Sequence, residues 1–306
     1  MRTSVLVNNF NNARFLRTCI DSVLGQTRTP DEIIVYDDGS TDDSIRILET
    51  YGEAIRVIRG ERQAGLPWNN QAKAIEHAFR ACSGDIVFLL DSDDAFASGK
   101  IAAYLPVFAA DESVVMVQSP LWKIDDDGVY TGIEYDVRRH ASDYLRHIAE
   151  THEVNIYYPT SSLAFRRSYL QQRLPLEVGD GLALWPDARL SLIAPHFGKI
   201  VTLDQPFTWW RRHAASHTVV RKTSVYEQVS MNRTFYNAFC CARGLPQVST
   251  WRSREHRRRW LRHISPEWLV RVYHYQRWWR GYHLGHPVIA TPQPAPARDE
   301  SRVSAA

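Results

Sequence analysis

Cysteine is scarce in this chain of 306 residues, and long apolar runs are absent. The four cysteines form no Cys-x-x-Cys pair and no disulfide-dense framework, which favours a reducing compartment. No segment approaches the about 18 uninterrupted apolar residues of a membrane-spanning helix, and the first residues enter a strand-like run without the apolar region of a signal peptide. We therefore expect a cytoplasmic protein that is either free or bound to the inner face of the cell membrane without crossing it.

Glycine-rich nucleotide motifs and a large net charge are also missing. There is no G-x-G-x-x-G after the first predicted strand and no G-x-x-x-x-G-K-[ST] anywhere, which excludes the dinucleotide fingerprint and the P-loop. The net charge is only +3, so we expect no nucleic-acid partner. With 44% hydrophobic residues, the chain can bury the core of one large domain or two smaller ones.

Short apolar runs alternate with amphipathic segments over the first part of the chain. The pattern predicts strands over residues 4–7, 32–37, 54–58 and 85–91, and helices over residues 13–26, 42–51 and 71–81. This alternation is typical of an α/β fold, with a mostly parallel sheet flanked by helices. Polar clusters follow the first, second and fourth strands, at the carboxyl ends where open α/β sheets bind their ligands.

Three carboxylates crowd into four positions in the stretch FLLDSDD, directly after an apolar run. Like charges this close repel each other unless water, a cation or protonation relieves them. Magnesium and manganese accept one or two protein carboxylates, and substrate phosphates and water fill their other positions. Asp91 and Asp93 therefore predict a Mn²⁺ or Mg²⁺ site, with an acidic turn or helix cap as the alternative interpretation.

The clusters after the first two strands suit a nucleoside. The carboxylates in VYDDGSTDDS can accept hydrogen bonds from the imide or amine edge of a nucleobase. The amide side chains in VNNFNNARFL can also form hydrogen bonds with a nucleobase. Three polar clusters at one sheet edge favour a nucleotide diphosphate that lies across that edge. Without a P-loop, its phosphates need a metal to neutralise them.

The sequence resembles the inverting family-two glycosyltransferases, whose catalytic domain has the A-type nucleotide-sugar fold. The resemblance covers residues 3–215 and rests on SVLVNNFNNARFL, EIIVYDDGSTDDS, GDIVFLLDSDD, SSLAFRRSYL, PDARLSL and WRRHAASHT. It implies metal-dependent transfer of a sugar from a nucleotide-diphosphate donor to an acceptor hydroxyl, with inversion at the anomeric carbon. The implied acceptor is a glycan or a lipid-linked molecule, in the synthesis of a cell-surface polysaccharide or glycolipid.

The resemblance also assigns roles to single residues. The positions that bind the nucleotide match Asn9, Asp38 (with Asp37 beside it) and Asp91. The positions that hold the metal match Asp93, as the direct ligand, with Asp91 and His213. Lys73 is the nearest cation for a phosphate contact, because the usual Arg or Lys of the helix before the fourth strand is missing.

Asp187 matches the position of the family's acidic general base, which would take the proton from the acceptor hydroxyl. It follows Pro186 in a predicted first helical turn, where the helix dipole favours a negative charge. An acidic N-terminal cap is therefore the alternative interpretation. Glu177 and Asp180, in the preceding loop, are the nearest substitutes as the base.

Three further features have simpler explanations than chemistry. Residues 125–128, Asp-Asp-Asp-Gly, predict a turn between two strands rather than a second metal cluster. Cys240 and Cys241 predict a buried pair of small side chains. The three tryptophans predicted to pack in the core, rather than to stack on sugar rings, are Trp185, Trp209 and Trp210.

The expected parts of the chain are a catalytic domain (1–220, with a nucleotide-binding half 1–120 and an acceptor-side half 121–220), a helical extension (221–286) and a disordered Pro/Ala-rich tail (287–306). Within the extension, residues 251–283 are rich in arginine and tryptophan. That composition is typical of a helix that lies on an anionic membrane surface, or of one that packs on the domain with a solvated arginine face.

Two rival functions stay open. The first is a catalytically silent member of the same fold that serves as a binding partner, since Asn8-Asn9 replaces the family's usual Pro and Thr, and Pro186 its usual Glu. The second is a sugar nucleotidyltransferase. That class resembles chains with a G-x-G-x-R loop after the first strand, and this sequence lacks the loop.

Overall fold

The structure is a computed structural model, and it describes residues 1–62, 65–136, 139–176, 183–213, 225–249 and 251–253. All of them belong to the first of two units of the chain, Met1–His256. The second unit, Arg257–Ala306, lies outside the described residues. Most of the predicted extension and all of the predicted tail therefore stay predictions.

The described residues form strands and helices in alternation. The strands are β1 (Thr3–Asn9), β2 (Glu32–Asp37), β3 (Arg56–Arg59), β4 (Ile86–Asp91), β5 (Ala95–Phe96), β6 (Val114–Gln118), β7 (Leu121–Ile124), β8 (Tyr130–Glu134), β9 (Ala164–Arg166), β10 (Lys199–Thr202) and β11 (Thr208–Arg211). The helices are α1 (Ala13–Leu24), α2 (Ser44–Glu49), α3 (Pro67–Ala81), α4 (Lys100–Ala110), α5 (Tyr144–Thr151), α6 (Arg167–Arg173), α7 (Pro186–Ile193) and α8 (Val225–Cys241). Among the described residues, no helix has both the length and the apolar composition needed to cross a membrane.

A seven-stranded sheet in the order β10-β6-β9-β4-β1-β2-β3 forms the centre of the fold. Its pairs are parallel except that β9 runs antiparallel to both neighbours, β4 and β6. Asn8 is paired with Asp91 and Asn9 with Asp37, so the polar ends of β1, β2 and β4 meet at one edge. The prediction of a mostly parallel sheet is confirmed. A smaller sheet, β5-β11-β7-β8, completes the described fold.

Both faces of the large sheet are buried, which explains why its central strands are continuous apolar runs. In β4, Val87 and Leu89 belong to one hydrophobic cluster, and Phe88 and Leu90 belong to the other, on the opposite face. Helix α1 contributes to the second cluster and α3 to the first. Each large apolar side chain buried in these layers contributes about 1.5–3 kcal/mol.

Helix α1 shows how well the spacing of apolar residues predicts which side of a helix is buried. Phe15, Leu16, Ile20 and Val23 are buried, as their spacing predicts. Leu24, expected on the same face, is only partly buried, and Cys19 takes its place in the core. Residues at i, i+3, i+4 and i+7 share one side of a helix, and position 19 fits that series better than position 24 does.

The sequence of residues 161–165 also predicts a strand, but in the structure the strand begins only at Ala164. The residues before it form a 3₁₀ turn, Thr160–Ser162, whose polar groups bind neighbouring segments. The Ser161 hydroxyl accepts a hydrogen bond from the backbone N–H of Asp91 at 3.0 Å, and its carbonyl accepts one from the buried ammonium of Lys100. These tertiary contacts outweigh the strand preference of the segment.

The four cysteines are free thiols, and three of them are buried. Cys240 is fully buried on α8, but its neighbour Cys241 is exposed. The prediction of a buried pair is therefore wrong for Cys241. Successive residues of a helix point about 100° apart, and on α8 Cys240 lies on the face that joins the first hydrophobic cluster, whereas Cys241 points to solvent.

Candidate active site

A cavity of about 910 Å³ opens at the edge where β1, β2 and β4 end. The predicted site residues among its lining are Asn9, Asp38, Asp91, Asp93 and Asp187. The other three lie close behind: Asp37 binds Asn9, Lys73 acts electrostatically on Asp38, and His213 contacts Asp93. The fold thus brings residues from distant parts of the sequence together around one space.

The end of the cavity beside β1 and β2 is organised by buried hydrogen bonds. Asn9 donates from Nδ2 to Oδ2 of Asp37 at 2.6 Å, and Oδ1 of Asp37 accepts from the backbone N–H of Ser40 at 2.8 Å. Asp37 is 1% exposed, so its buried carboxyl group fixes the orientation of Asn9 and of the turn that follows β2. Asp38 is the carboxylate that lines the cavity itself.

Arg62 is a cavity residue that the sequence motifs do not indicate. Its Nη1 donates to Oδ2 of Asp38 at 2.8 Å, and its guanidinium lies 3.4 Å from the centroid of the Phe10 ring. Burial raises the pKa of Asp38, and the positive charge of Arg62 opposes that rise. Gly39, at φ +71°, permits the contact, because a Cβ there would lie 2.8 Å from the backbone nitrogen of Arg62.

Asp91 ends β4 with one carboxyl oxygen bound and its side chain partly open to the cavity. Gln71 donates from Nε2 to Oδ1 of Asp91 at 2.8 Å. The surrounding protein desolvates the carboxyl group and raises its pKa to about 7, and the negative charges of Asp93 and Asp187 act in the same direction. Protonation is thus one way in which the crowded carboxylates of FLLDSDD are relieved without a ligand.

Asp93 and His213 form a second contact at the cavity. Oδ2 of Asp93 lies 3.0 Å from Nε2 of His213, and the two side chains are 19% and 8% exposed. The neighbouring carboxyl group of Asp94 is buried and accepts from the backbone N–H of Arg211 at 2.8 Å. Burial, followed by the charges of Asp93 and Asp91, holds the pKa of Asp94 well above its usual value.

The atoms of Asp93 and His213 that could bind a metal ion suit an ion whose coordination is completed by a substrate. Among the described residues, no group of three or more His, Cys, Asp or Glu side chains is placed to hold a metal alone. Asp93 and His213 supply one carboxylate and one imidazole, and Mg²⁺ or Mn²⁺ normally takes one or two carboxylates together with substrate phosphates and water. The residues therefore suit a divalent ion bound together with a diphosphate.

Asp187 faces the cavity from the first turn of α7. Trp185 is the N-cap of this helix and Pro186 its first residue, so Asp187 lies in the first turn, as predicted, one position after Pro186 rather than at the N-cap itself. Its Oδ1 accepts from the backbone N–H of Ala188 at 2.7 Å. Burial raises the pKa of Asp187 to about 6, although hydrogen bonds from Ala188 and Thr160 oppose the rise. Its predicted substitutes, Glu177 and Asp180, lie outside the described residues.

The prediction of core packing has different outcomes for the three tryptophans. Trp209 stacks on Trp122 with ring centroids 4.4 Å apart. Trp185 and Trp210 line the cavity, so the prediction of core packing is wrong for these two.

The turn predicted at residues 125–128 is confirmed. Gly128 adopts φ +83° and its N–H donates to the carbonyl of Asp125 at 3.1 Å.

Helix α8 supplies part of the cavity wall. The residues of this helix that line the cavity are Gln228, Val229, Met231 and Asn232. Asn232 donates from Nδ2 to Oδ1 of Asn155 at 2.6 Å and to the Tyr157 hydroxyl at 3.0 Å. Sequence motifs do not identify these residues, since neutral amides on a helix show no recognisable spacing.

Comparison with known proteins identifies one family. The model described as "Glycosyl transferase family 2" matches residues 4–174. An uncharacterized glycosyltransferase of Nostoc sp. is 30% identical over 248 residues, which are 78% of this chain and 76% of the relative. A chondroitin synthase of Escherichia coli is 33% identical over 127 residues, which are 41% of this chain but only 18% of that enzyme.

Two solved structures share the fold. Residues 1–349 of S. aureus TarS, in complex with UDP-GlcNAc, match with a TM-score of 0.59 at 18% identity, over 78% of this chain and 66% of that solved chain. A mannosyltransferase of Pyrobaculum calidifontis, in complex with GDP-Man and Mn²⁺, matches with a TM-score of 0.52 at 18% identity, over 82% of this chain and 67% of that one. At these identities the similarity concerns the fold alone.

Proposed function

The chain belongs to glycosyl transferase family 2, and we propose that it moves a sugar from a nucleotide-diphosphate sugar to an acceptor hydroxyl with inversion at the anomeric carbon. The family and its A-type α/β fold, both predicted from the sequence, are confirmed. The proposed acceptor is a glycan or a lipid-linked molecule in polysaccharide or glycolipid synthesis. The partial similarity to a chondroitin synthase supports this class of product.

The nucleotide end of the cavity supports the proposed donor. Asn9 and Asp38 line the side where β1 and β2 end, and Asp91 and Asp93 line the side where β4 ends. A nucleoside at the first pair and a diphosphate at the second would span this edge of the sheet. TarS and the Pyrobaculum enzyme are both complexed with nucleotide sugars, which agrees with that class of donor.

A divalent ion fits the proposal at Asp93. Asp93 and His213 would hold Mn²⁺ or Mg²⁺, and the complex of the Pyrobaculum enzyme with Mn²⁺ supports this choice. When bound, the ion supplies positive charge that stabilises a departing nucleoside diphosphate. Gln71 would keep Asp91 oriented toward the donor, and Arg62 would do the same for Asp38.

The observation that carries the proposal is the position of Asp187. Its carboxyl group faces the same cavity as Asp91 and Asp93, and its charge acts on Asp91. A carboxylate there would accept the acceptor's proton as the hydroxyl oxygen forms its bond to the anomeric carbon. The bond to the diphosphate breaks on the opposite side, and its electron pair leaves with the nucleotide. A base with a pKa of about 6 is deprotonated at neutral pH and still basic enough to assist.

A panel of nucleotide sugars tests the proposed reaction. UDP- and GDP-sugars are incubated with the full chain and Mn²⁺ or Mg²⁺, and nucleoside diphosphate release is measured with and without EDTA. We expect release from one nucleotide class that depends on the metal. A catalytically silent protein would release none from any donor, and a nucleotidyltransferase would instead require a nucleoside triphosphate and a sugar phosphate. Either result would contradict the proposal.

We also propose a cytoplasmic position on the inner face of the membrane, through the arginine- and tryptophan-rich residues 251–283. Only residues 251–253 of this segment are described, and Trp251 is 76% exposed. Binding to anionic vesicles should be strong at low salt and weaken as salt rises, because surface charge is screened within about 10 Å at 0.1 M. Deletion of residues 250–306 should remove vesicle binding and spare donor hydrolysis. Equal binding to neutral and anionic vesicles, or no binding, would favour an extension packed on the domain.

A further inference from the structure

Arg211, at the end of β11, joins the acidic turn between β7 and β8 to the segment that carries the metal-binding carboxylate. Its Nε donates to the backbone carbonyl of Asp93 at 2.9 Å. Its Nη1 donates to the carbonyls of Asp125 and Asp126 at 2.8 and 3.1 Å. The side chain is almost fully buried, at 5% exposure. One guanidinium therefore binds three carbonyl oxygens from two segments that are far apart in the sequence.

The same arginine is tied to His213 through an aromatic ring. The Arg211 guanidinium lies 4.6 Å from the centroid of Phe15, and the His213 ring lies 5.0 Å from it. The backbone N–H of Arg211 also donates to Oδ1 of Asp94 at 2.8 Å. The positions of Asp93, its neighbour Asp94 and the imidazole opposite them thus all depend on where Arg211 lies.

We propose that Arg211 is a positioning residue that holds Asp93 and His213 in the geometry needed to bind the divalent ion, with the carbonyls of the turn at residues 125–128 fixing its guanidinium. This inference rests on the proposed metal-dependent function. It gives the acidic turn a role that depends on its backbone carbonyls. The carboxylates of the turn alone do not suggest this role. Only a planar fork with five N–H donors reaches all these oxygens together; a lysine ammonium keeps the charge but loses the fork.

Two variants test the proposal, one at the arginine itself and one in the turn that holds its guanidinium. Arg211→Lys removes the fork, and Gly128→Ala disturbs the turn without touching Asp93. Gly128 lies at φ +83°, and a Cβ there would be 3.9 Å from Nη1 of Arg211, so alanine strains the backbone that holds the guanidinium. Partners that orient metal ligands typically contribute about tenfold to a hundredfold in metal affinity, and we expect both variants to lose Mn²⁺ affinity in that range.

Matched controls separate positioning from general stability. Gly52→Ala introduces the same kind of strain, at φ +52°, in a turn with no atom within 4 Å of the added Cβ. Arg46→Gln removes an exposed arginine that pairs with Asp43 at the start of α2, at 3.0 Å. Both controls should keep wild-type Mn²⁺ affinity, even where they lower the melting temperature.

The measurement is a Mn²⁺ titration followed by the EPR signal of the free ion, in saturating UDP and again in GDP, well below the melting temperature. Weaker Mn²⁺ binding by Arg211→Lys and Gly128→Ala, with unchanged controls, supports the proposal. Wild-type affinity in Gly128→Ala, or equal losses in Gly128→Ala and Gly52→Ala, overturns it. A wild-type protein that binds Mn²⁺ with neither nucleotide overturns the metal-dependent function itself, and this inference with it.

Discussion

Replacing Asp187 by asparagine is expected to lower sugar transfer at least about a hundredfold, while donor and metal affinity survive. An acceptor hydroxyl is a weak nucleophile at neutral pH, so it needs a carboxylate to take its proton. Asparagine keeps the size of the side chain and can still accept the hydrogen bond from Ala188, but it does not take up a proton. Rates with and without acceptor, together with nucleotide affinity, measure the effect.

The pH profile gives this prediction a second readout. Burial raises the pKa of Asp187 to about 6, so with donor and metal ion held saturating, wild-type transfer should fall as the pH drops below this value. The variant should lack this acidic limb, because no proton binds at position 187. An acidic limb that persists in Asp187→Asn would assign the proton uptake to another group.

Stability separates a catalytic role of Asp187 from a structural one. Its pKa in the folded protein lies above the ordinary value of 3.8, so its contribution to stability is present at low pH and is lost as pH rises through about 6. Asp187→Asn should therefore leave the melting temperature unchanged or raised at pH values above 6. Asp143→Asn is a matched control, since Asp143 caps α5 by accepting from the backbone N–H of Arg146 at 3.0 Å. It should transfer normally. Near-normal transfer by Asp187→Asn would move the base to Glu177 or Asp180.

The parts of the site that could be predicted from the sequence are those that follow from chain direction and spacing. Apolar runs locate β1, β2 and β4, and parallel pairing then requires their polar ends to meet at one edge. That argument alone brings Asn9, Asp38 and Asp91 together, as the structure confirms. Asp187 and His213 were placed by resemblance to a family, because nothing in their spacing relates them to the first three strands.

The contacts that could not be predicted depend on how loops fold back over the sheet. The sequence offers Lys73 as the nearest cation on a helix, whereas in the structure Arg62, from the loop after β3, lines the cavity and binds Asp38. Arg211 has no recognisable partner in the sequence, since its three acceptors are backbone carbonyls. Every residue offers such a carbonyl, so residue types give no signal for these contacts.

Replacing Asp93 by asparagine is expected to abolish metal-dependent donor binding. Mg²⁺ and Mn²⁺ require oxygen donors of high charge density, and an amide oxygen is a much weaker ligand than a carboxylate. Nucleotide titrations by calorimetry, with Mn²⁺ and with EDTA, measure the loss. Asp127→Asn is the matched control: it removes the same charge from an exposed carboxylate of the β7–β8 turn, whose side chain is 80% exposed.

The fold should tolerate Asp93→Asn, and this separates a ligand role from a structural one. The charge of Asp93 raises the pKa of its buried neighbours Asp91 and Asp94, after the larger effect of burial itself, so it disfavours their ionised forms in the folded protein. Removing that repulsion should leave the melting temperature unchanged or raised, since the asparagine oxygen can still accept a hydrogen bond from His213. If the variant kept wild-type turnover, FLLDSDD would be only an acidic turn at the end of a strand. The metal-dependent function would then lose its main support.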